Sequence, residues 1–189
     1  SMGRLAPPLA PPSPRAVSSR RCVAGWMMSM RVLLFGNSGS GKSTFARRLA
    51  SAHALAHLAL DSIVWEPGRV AAQRPRADVR AELSAFIGRH PAWVIEGCYG
   101  ELIEAAAAHC TELVFLNPGL DACLENCRRR PWEPHKYPSK QAQDAMLPQL
   151  LEWVHGYATR DDAWSYARHR RLFDEFAGNK RELTTLPPV

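Results

Sequence analysis

The fold is decided by the stretch Val32-Leu33-Leu34-Phe35, which runs directly into Gly36-Asn37-Ser38-Gly39-Ser40-Gly41-Lys42-Ser43. The first four residues form an unbroken apolar run, which is typical of a strand covered on both faces. The next eight fit the pattern G-x-x-x-x-G-K-[S/T] in full. Residues 43–54 then place Phe45, Leu49 and Ala52 at helical spacing. Strand, glycine-rich loop and helix in this order predict a P-loop that binds a polyphosphate.

Each residue type in this loop has a physical reason. Glycines let the backbone turn its N–H groups inward around an anion, and the helix start adds the positive end of its dipole. Lys42 is predicted to reach the β- and γ-phosphates, Ser43 to ligate Mg²⁺, and Thr44 to touch the α-phosphate. The sequence has no Asn-Lys-x-Asp guanine motif, so ATP is favoured over GTP. We expect ATP and Mg²⁺ as ligands, bound by Gly36, Asn37, Ser38, Gly39, Ser40, Gly41, Lys42, Ser43 and Thr44.

Composition and charge exclude several other classes. The chain has 189 residues and a net charge of +6, of which +4 comes from arginines within residues 1–30. The remainder carries only +2, which argues against nucleic acid as a partner. No apolar run of about 18 residues predicts a membrane span. The five cysteines are odd in number and form no C-x-x-C pair, so a reduced, cytoplasmic location is expected.

The rest of the chain alternates between apolar runs and helical patterns. Residues 1–29, rich in Pro, Arg and Ser, are interpreted as a disordered or loosely attached tail or, alternatively, as a transit peptide. Residues 30–189 are expected to form one α/β domain with three α/β/α layers, namely a parallel sheet of about five strands with helices on both faces. Three prolines within 131–140 predict a lid over about 131–145. Predicted strands cover 55–60, 93–95, 113–116 and 182–186, and predicted helices cover 76–88, 102–109, 119–130, 142–157 and 161–177.

Four places in the sequence together resemble a known family. They are the P-loop, Leu60-Asp61 with Trp65-Glu66-Pro67-Gly68, the stretch Trp93-Val94-Ile95-Glu96-Gly97-Cys98-Tyr99-Gly100, and the arginine cluster 128–130. Over about residues 31–186 the chain resembles small P-loop kinases of the adenylate-kinase and shikimate-kinase type. It is most similar to bacterial adenylate-kinase-like proteins often labelled topology modulation proteins. The resemblance implies a P-loop kinase fold and an ATP-dependent phosphotransferase that acts on a nucleotide or a small hydroxylated metabolite.

The resemblance also implies roles for residues outside the P-loop. Asp61 would face the acceptor, where a carboxylate can orient or deprotonate a hydroxyl; alternatively it caps a helix. Glu96 would hold Mg²⁺ through water, or be a surface acid beside a turn. Arg128 and Arg130 would clamp the γ-phosphate when the lid closes, or only offset a helix dipole.

Two further groups of residues are candidates for contacts with ATP. Arg160 is similar in position to a second lid arginine, although a solvated charged face explains it equally well. Asn179 and Lys180 are the nearest candidates to line an adenine pocket. The predicted catalytic residues are therefore Lys42, Asp61, Arg128, Arg130 and Arg160, and the predicted metal ligands are Ser43 and Glu96.

Two other functions stay open at this point. One is a P-loop ATPase with a regulatory or nucleic-acid partner and no small acceptor, and the other is a protein that only holds ATP. Asp61 and the lid arginines favour a kinase, because a pure switch needs no carboxylate on the acceptor side.

Overall fold

The computed structural model describes residues 30–69, 72–134 and 136–188, so the predicted tail at 1–29 lies outside the described residues. The strands are β1 (Arg31–Gly36), β2 (Ala56–Ala59), β3 (Trp93–Gly97), β4 (Glu112–Leu116) and β5 (Lys180–Leu183). The α-helices are α1 (Lys42–His53), α2 (Asp61–Val64), α3 (Arg76–Arg89), α4 (Gly100–Ala107), α5 (Leu120–Arg128), α6 (Lys140–His155) and α7 (Tyr166–Glu175). A short 3₁₀ turn, Gly156–Ala158, follows α6.

The five strands form one sheet in the order β2-β3-β1-β4-β5, and every pairing is parallel. The strand that enters the P-loop is central, since Leu33 of β1 lies opposite Ile95 of β3 and Leu113 of β4. In a parallel sheet all carboxyl ends face the same edge, which is where ligands bind in open α/β folds. The P-loop and the residues that follow β2 and β3 therefore meet at that edge.

Successive side chains of β1 are buried on opposite faces of the sheet, as strand geometry requires. Leu33 and Phe35 join a core with residues of α3, α4 and α7, whereas Val32 and Leu34 join a second core with α1. Helices thus cover both faces, which explains why the strand is apolar without alternation. The predicted α/β class with three layers and a five-stranded parallel sheet is confirmed.

Helices α5 and α6 pack against each other beside the sheet. Cys123 and Cys127 of α5 are buried against Val154 of α6, so these cysteines serve packing. Residues 129–139 connect the two helices and correspond to the first part of the predicted lid. Among the described residues, none of the helices has the length and apolar character that a membrane crossing requires.

Several predicted boundaries differ from those in the structure, and the start of α7 differs most. α7 begins at Tyr166 and not at 161, because Asp162 Oδ1 accepts the Trp164 N–H at 2.9 Å and Ser165 Oγ accepts the Arg168 N–H at 3.2 Å as the helix cap. α6 begins at Lys140, two residues early, where Ser139 Oγ accepts the Ala142 N–H at 3.0 Å. The last strand lies at 180–183 and not at 182–186.

Candidate active site

The P-loop owes its shape to glycines at positions where a side chain has no room. Gly39 has φ of 77°, in the left-handed region, and a Cβ there would lie 2.2 Å from the Cys123 carbonyl oxygen. A Cβ on Gly36 would lie 2.2 Å from the Leu116 carbonyl oxygen. The loop is therefore pressed against α5 on one side and against β4 on the other. This close approach leaves its remaining side as the place where N–H groups can face an anion.

Lys42, the first residue of α1, folds over the loop. Its ammonium group donates to the Asn37 carbonyl oxygen at 2.7 Å and to Ser40 Oγ at 3.4 Å, and its side chain is buried. The first N–H groups of α1 have no acceptor within the helix. A phosphate in the loop would therefore meet the cation of Lys42 and these N–H groups together. The arrangement fits the predicted anion site at 36–44.

Ser43 and Glu96 lie together, although 53 residues separate them in the sequence. Ser43 Oγ donates to Glu96 Oε1 at 2.8 Å, and Glu96, at the end of β3, is almost fully buried. His57 Nε2 of β2 lies 4.0 Å from the same oxygen, and burial lowers the pKa of this histidine. A hydroxyl and a carboxylate are hard oxygen ligands of the kind that Mg²⁺ takes alongside phosphate and water. The residues present thus fit a Mg²⁺ ion next to the P-loop.

Asp61 lies at the same edge and is held through both carboxylate oxygens. The Tyr99 hydroxyl donates to Oδ1, and Lys136 Nζ lies 3.0 Å from Oδ2. Trp65 Nε1 donates to the Tyr99 oxygen at 2.8 Å, which fixes the phenol. Burial favours the neutral acid, but Lys136, Tyr99 and Lys42 outweigh it, so the pKa of Asp61 is lowered. Asp61 is therefore an anion near neutral pH.

The alternative role of Asp61 as a helix cap is wrong. The capping position of α2 is Leu60, and no side chain caps this helix. The Asp61 carboxylate instead contacts Tyr99 and Lys136, which come from the chain beyond β3 and from the lid segment. Its contact with two distant segments is the arrangement of a site residue and not of a local turn.

The predicted lid arginines differ in where they lie. Arg128 is 52% exposed and pairs with Glu125 at 3.8 Å on the surface of α5. Arg130 turns inward, where it lies 3.5 Å from Glu133 Oε2. Arg160 stacks over the Trp153 ring at 3.6 Å and pairs with Asp162 at 3.1 Å, so it supports the packing behind α6. The roles of these arginines in catalysis stay predictions. Lys136, from the segment between α5 and α6, is the cation that contacts Asp61.

A cleft of about 160 Å³ lies between α2, α3 and the start of α4; Asp61 does not line it, but Tyr99, which donates to Asp61, does. Tyr99 belongs to its wall, so the cleft is continuous with the Asp61 network. Its floor contains Val79, Leu102 and Trp164, and its rim carries three arginines, Arg74, Arg76 and Arg80. Arg74 is held by Glu82 at 2.6 Å, and Arg80 is exposed. An apolar floor with a cationic rim suits a ring or chain that carries an anionic group.

The proposed adenine position at Asn179 and Lys180 is wrong. Lys180 lies opposite Leu113, at the start of β4, whereas Gly36 lies opposite Leu116 at its end. In a parallel sheet these are opposite edges, so Lys180 is far from the P-loop and instead donates to carbonyl oxygens at the end of α7. The segment after β5 does reach the loop, since a Cβ on Gly41 would lie 3.1 Å from Leu186.

The sequence did not indicate that Tyr99, Trp65 and Lys136 form one hydrogen-bonded network around Asp61. Tyr99 and Trp65 were both within stretches that carried the family resemblance, but nothing local indicated that their side chains meet. Lys136 had no motif around it apart from the prolines of the lid. The cleft arginines were missed because Arg76 and Arg80 lie on the exposed side of an ordinary helical pattern and Arg74 precedes that helix.

Comparisons with known proteins give a fold likeness only. No protein-family model matches the chain, and no curated protein matches it. Among solved structures it is similar to a shikimate kinase from Aquifex aeolicus (20% identity, 84% of this chain, 89% of that chain, TM-score 0.46). It is also similar to a gluconokinase from Sinorhizobium meliloti 1021 (18% identity, 84% of this chain, 85% of that chain, TM-score 0.43). A third similar structure is a sugar kinase from Janibacter sp. HTCC2649 (14% identity, 85% of this chain, 88% of that chain, TM-score 0.46).

Proposed function

We propose that the protein is a kinase that transfers the γ-phosphoryl group of ATP to a hydroxyl of a small acceptor. One observation carries the proposal: an ionised carboxylate, Asp61, lies at the carboxyl edge of the sheet that carries the P-loop and is held there by Tyr99 and Lys136. A nucleotide-binding switch needs the cradle alone, whereas a phosphotransferase also needs a group that handles the acceptor. The cleft beside Asp61 supplies the space for that acceptor.

ATP would bind with its phosphates in the loop of residues 36–44. Lys42 would exchange its contact with the Asn37 carbonyl oxygen for the β- and γ-phosphates, a stronger charge-assisted contact. Ser43 and Glu96 would hold Mg²⁺, which neutralises the charge that develops between the β- and γ-phosphates. The N–H groups at the start of α1 would stabilise charge without reorganising, because the fold already orients them.

The acceptor would bind in the cleft with its hydroxyl at Asp61. Its anionic group would lie at the rim, where Arg80 is exposed and Arg76 is held by Glu101. Its apolar part would rest on Trp164 and Val79. We therefore place the acceptor among small hydroxylated compounds with a carboxylate or phosphate, a class that includes nucleotides. Asp61 would orient the hydroxyl and take its proton as the new P–O bond forms.

A screen for ADP release tests this proposal. Purified protein is incubated with ATP and Mg²⁺ and with hydroxylated compounds in matched pairs, one anionic and one neutral. ADP release that needs both Mg²⁺ and an acceptor, and that prefers the anionic member of a pair, supports the proposal. ATP hydrolysis that no acceptor accelerates, but that a protein or nucleic acid does, would favour the partner-dependent ATPase.

A further inference from the structure

Lys136 is the side chain by which the lid segment contacts the proposed reaction centre. Its ammonium group lies 3.0 Å from Asp61 Oδ2 and 3.3 Å from Glu133 Oε1. The side chain is only 28% exposed, so much of a normally solvated lysine is enclosed. Burial alone would favour a neutral amine, but Asp61 and Glu133 outweigh it, and the pKa of Lys136 is raised. The group is therefore a cation held between two carboxylates.

The lid turn that carries Lys136 is fixed by hydrogen bonds. The Glu133 N–H donates to Gln143 Oε1 at 2.8 Å, and Gln143 Nε2 donates to the Pro131 carbonyl oxygen at 3.0 Å. The Glu133 carbonyl oxygen accepts from the N–H groups of Lys136 and Tyr137, each at 3.0 Å. Lys136 is thus presented to Asp61 by an ordered turn that is anchored to α6.

Both oxygens of Asp61 are occupied by protein groups. Tyr99 is fixed on Oδ1 by burial and by Trp65, so the Lys136 ammonium on Oδ2 is the contact that an incoming hydroxyl can replace. Lys136 has a second partner ready, because Glu133 already lies 3.3 Å away. After the exchange Lys136 keeps Glu133 as its counter-charge, whereas Asp61 loses its contacting cation and becomes a stronger base.

We propose that Lys136 is a positioning residue whose ion pair keeps Asp61 a weak base towards water until the acceptor hydroxyl displaces it. This inference rests on the proposed function. In the productive reaction the bond between the γ-phosphorus and the bridging oxygen of ATP breaks, a bond forms to the acceptor oxygen, and the acceptor proton passes to Asp61. With water in place of the acceptor, the same exchange gives ADP and phosphate. Lys136 keeps its proton throughout and acts only by occupying Oδ2.

The test needs no knowledge of the acceptor. We compare ATP hydrolysis without acceptor, at saturating ATP and Mg²⁺, in wild type, Lys136→Met, Lys136→Arg and the double variant Lys136→Met/Asp61→Asn. Lys140→Met is the matched control, because Lys140 forms an exposed ion pair with Asp144, four residues further along the same helix α6. ATP affinity is measured for each protein by calorimetry.

Removing the charge of Lys136 should raise acceptor-free hydrolysis by about tenfold, below the range of a fully positioned base because water is held by Asp61 alone. Lys136→Arg and Lys140→Met should stay within about twofold of wild type, and the double variant should lose the increase. ATP affinity should be unchanged throughout. Hydrolysis that does not rise while ATP still binds, or an increase that survives in the double variant, would overturn the role of Lys136. Wild type that fails to bind ATP would instead overturn the proposed function itself, and the inference with it.

Discussion

Replacing Asp61 by Asn separates a kinase from a nucleotide-binding switch more sharply than any other single change. The amide keeps the size of the side chain and can still accept the Tyr99 hydroxyl, but it loses the charge that pairs with Lys136 at 3.0 Å. Asn cannot take a proton from the acceptor. Phosphoryl transfer should fall by ~10²–10⁴, which corresponds to about 3–5 kcal/mol in the barrier.

The same change should have little effect elsewhere in the protein. Asp61 is 41% exposed and its pair with Lys136 is partly solvated, so the free energy of unfolding should change by about 1 kcal/mol or less. ATP affinity should hold within a few-fold, because the phosphate contacts belong to the P-loop. Transfer is followed by coupled detection of ADP with an acceptor found in the screen, ATP affinity is measured by calorimetry, and Asp174→Asn, at the exposed end of α7, is the control. Unchanged transfer would refute the role of Asp61, and complete loss of ATP binding would mark it as a Mg²⁺ ligand instead.

Three further predictions concern the cradle, the lid and the core. Lys42→Ala should cost ~2–4 kcal/mol of transition-state stabilisation, seen as lower turnover and weaker ATP binding; normal values for both would contradict the P-loop assignment. Amide exchange across residues 131–145 should slow when ATP and acceptor bind together, and rates that do not respond would exclude a lid. Burial lowers the pKa of His169 to about 4, so wild type should lose about 3 kcal/mol of stability from this group as pH falls from 7 to 4, because the unfolded chain takes up the proton first. Urea unfolding between pH 7 and pH 4 should show a smaller loss in the free energy of unfolding for His169→Gln than for wild type. Equal losses in the two proteins would disprove the prediction.

The fold and the phosphate cradle were predictable because their determinants are local. The apolar run at 32–35 predicts a strand covered on both faces, and the glycines at 36–41 predict a turn that no larger residue could make. The structure shows the reason for Gly39, since a Cβ there would collide with the Cys123 carbonyl oxygen. Such constraints act within about a dozen residues, so a sequence pattern can carry them.

The acceptor side was less predictable, because it is assembled from distant segments. Tyr99 lies 38 residues and Lys136 lies 75 residues after Asp61 in the chain. The three side chains come together only through the sheet and the segment between α5 and α6. The error at Lys180 has a different origin. In the predicted parallel sheet, residues just before the last strand lie at the edge opposite the P-loop, so the predicted topology already argued against Asn179 and Lys180. The family resemblance implied roles for the arginine cluster, although a lysine eight residues after Arg128 is the cation that contacts Asp61.

Each reactive group of the site already holds a partner of the kind that its substrate would supply. Lys42 holds a carbonyl oxygen where phosphate oxygens would lie, and Ser43 donates to Glu96 where a metal ion would lie. Asp61 holds an ammonium group where the acceptor hydroxyl would donate. Polar groups in a largely enclosed site cost free energy when they lack partners, so a site that must wait for two substrates needs such internal contacts. Binding would then exchange one set of contacts for another, and Lys136, which also contacts Glu133, is the group that we propose the acceptor displaces.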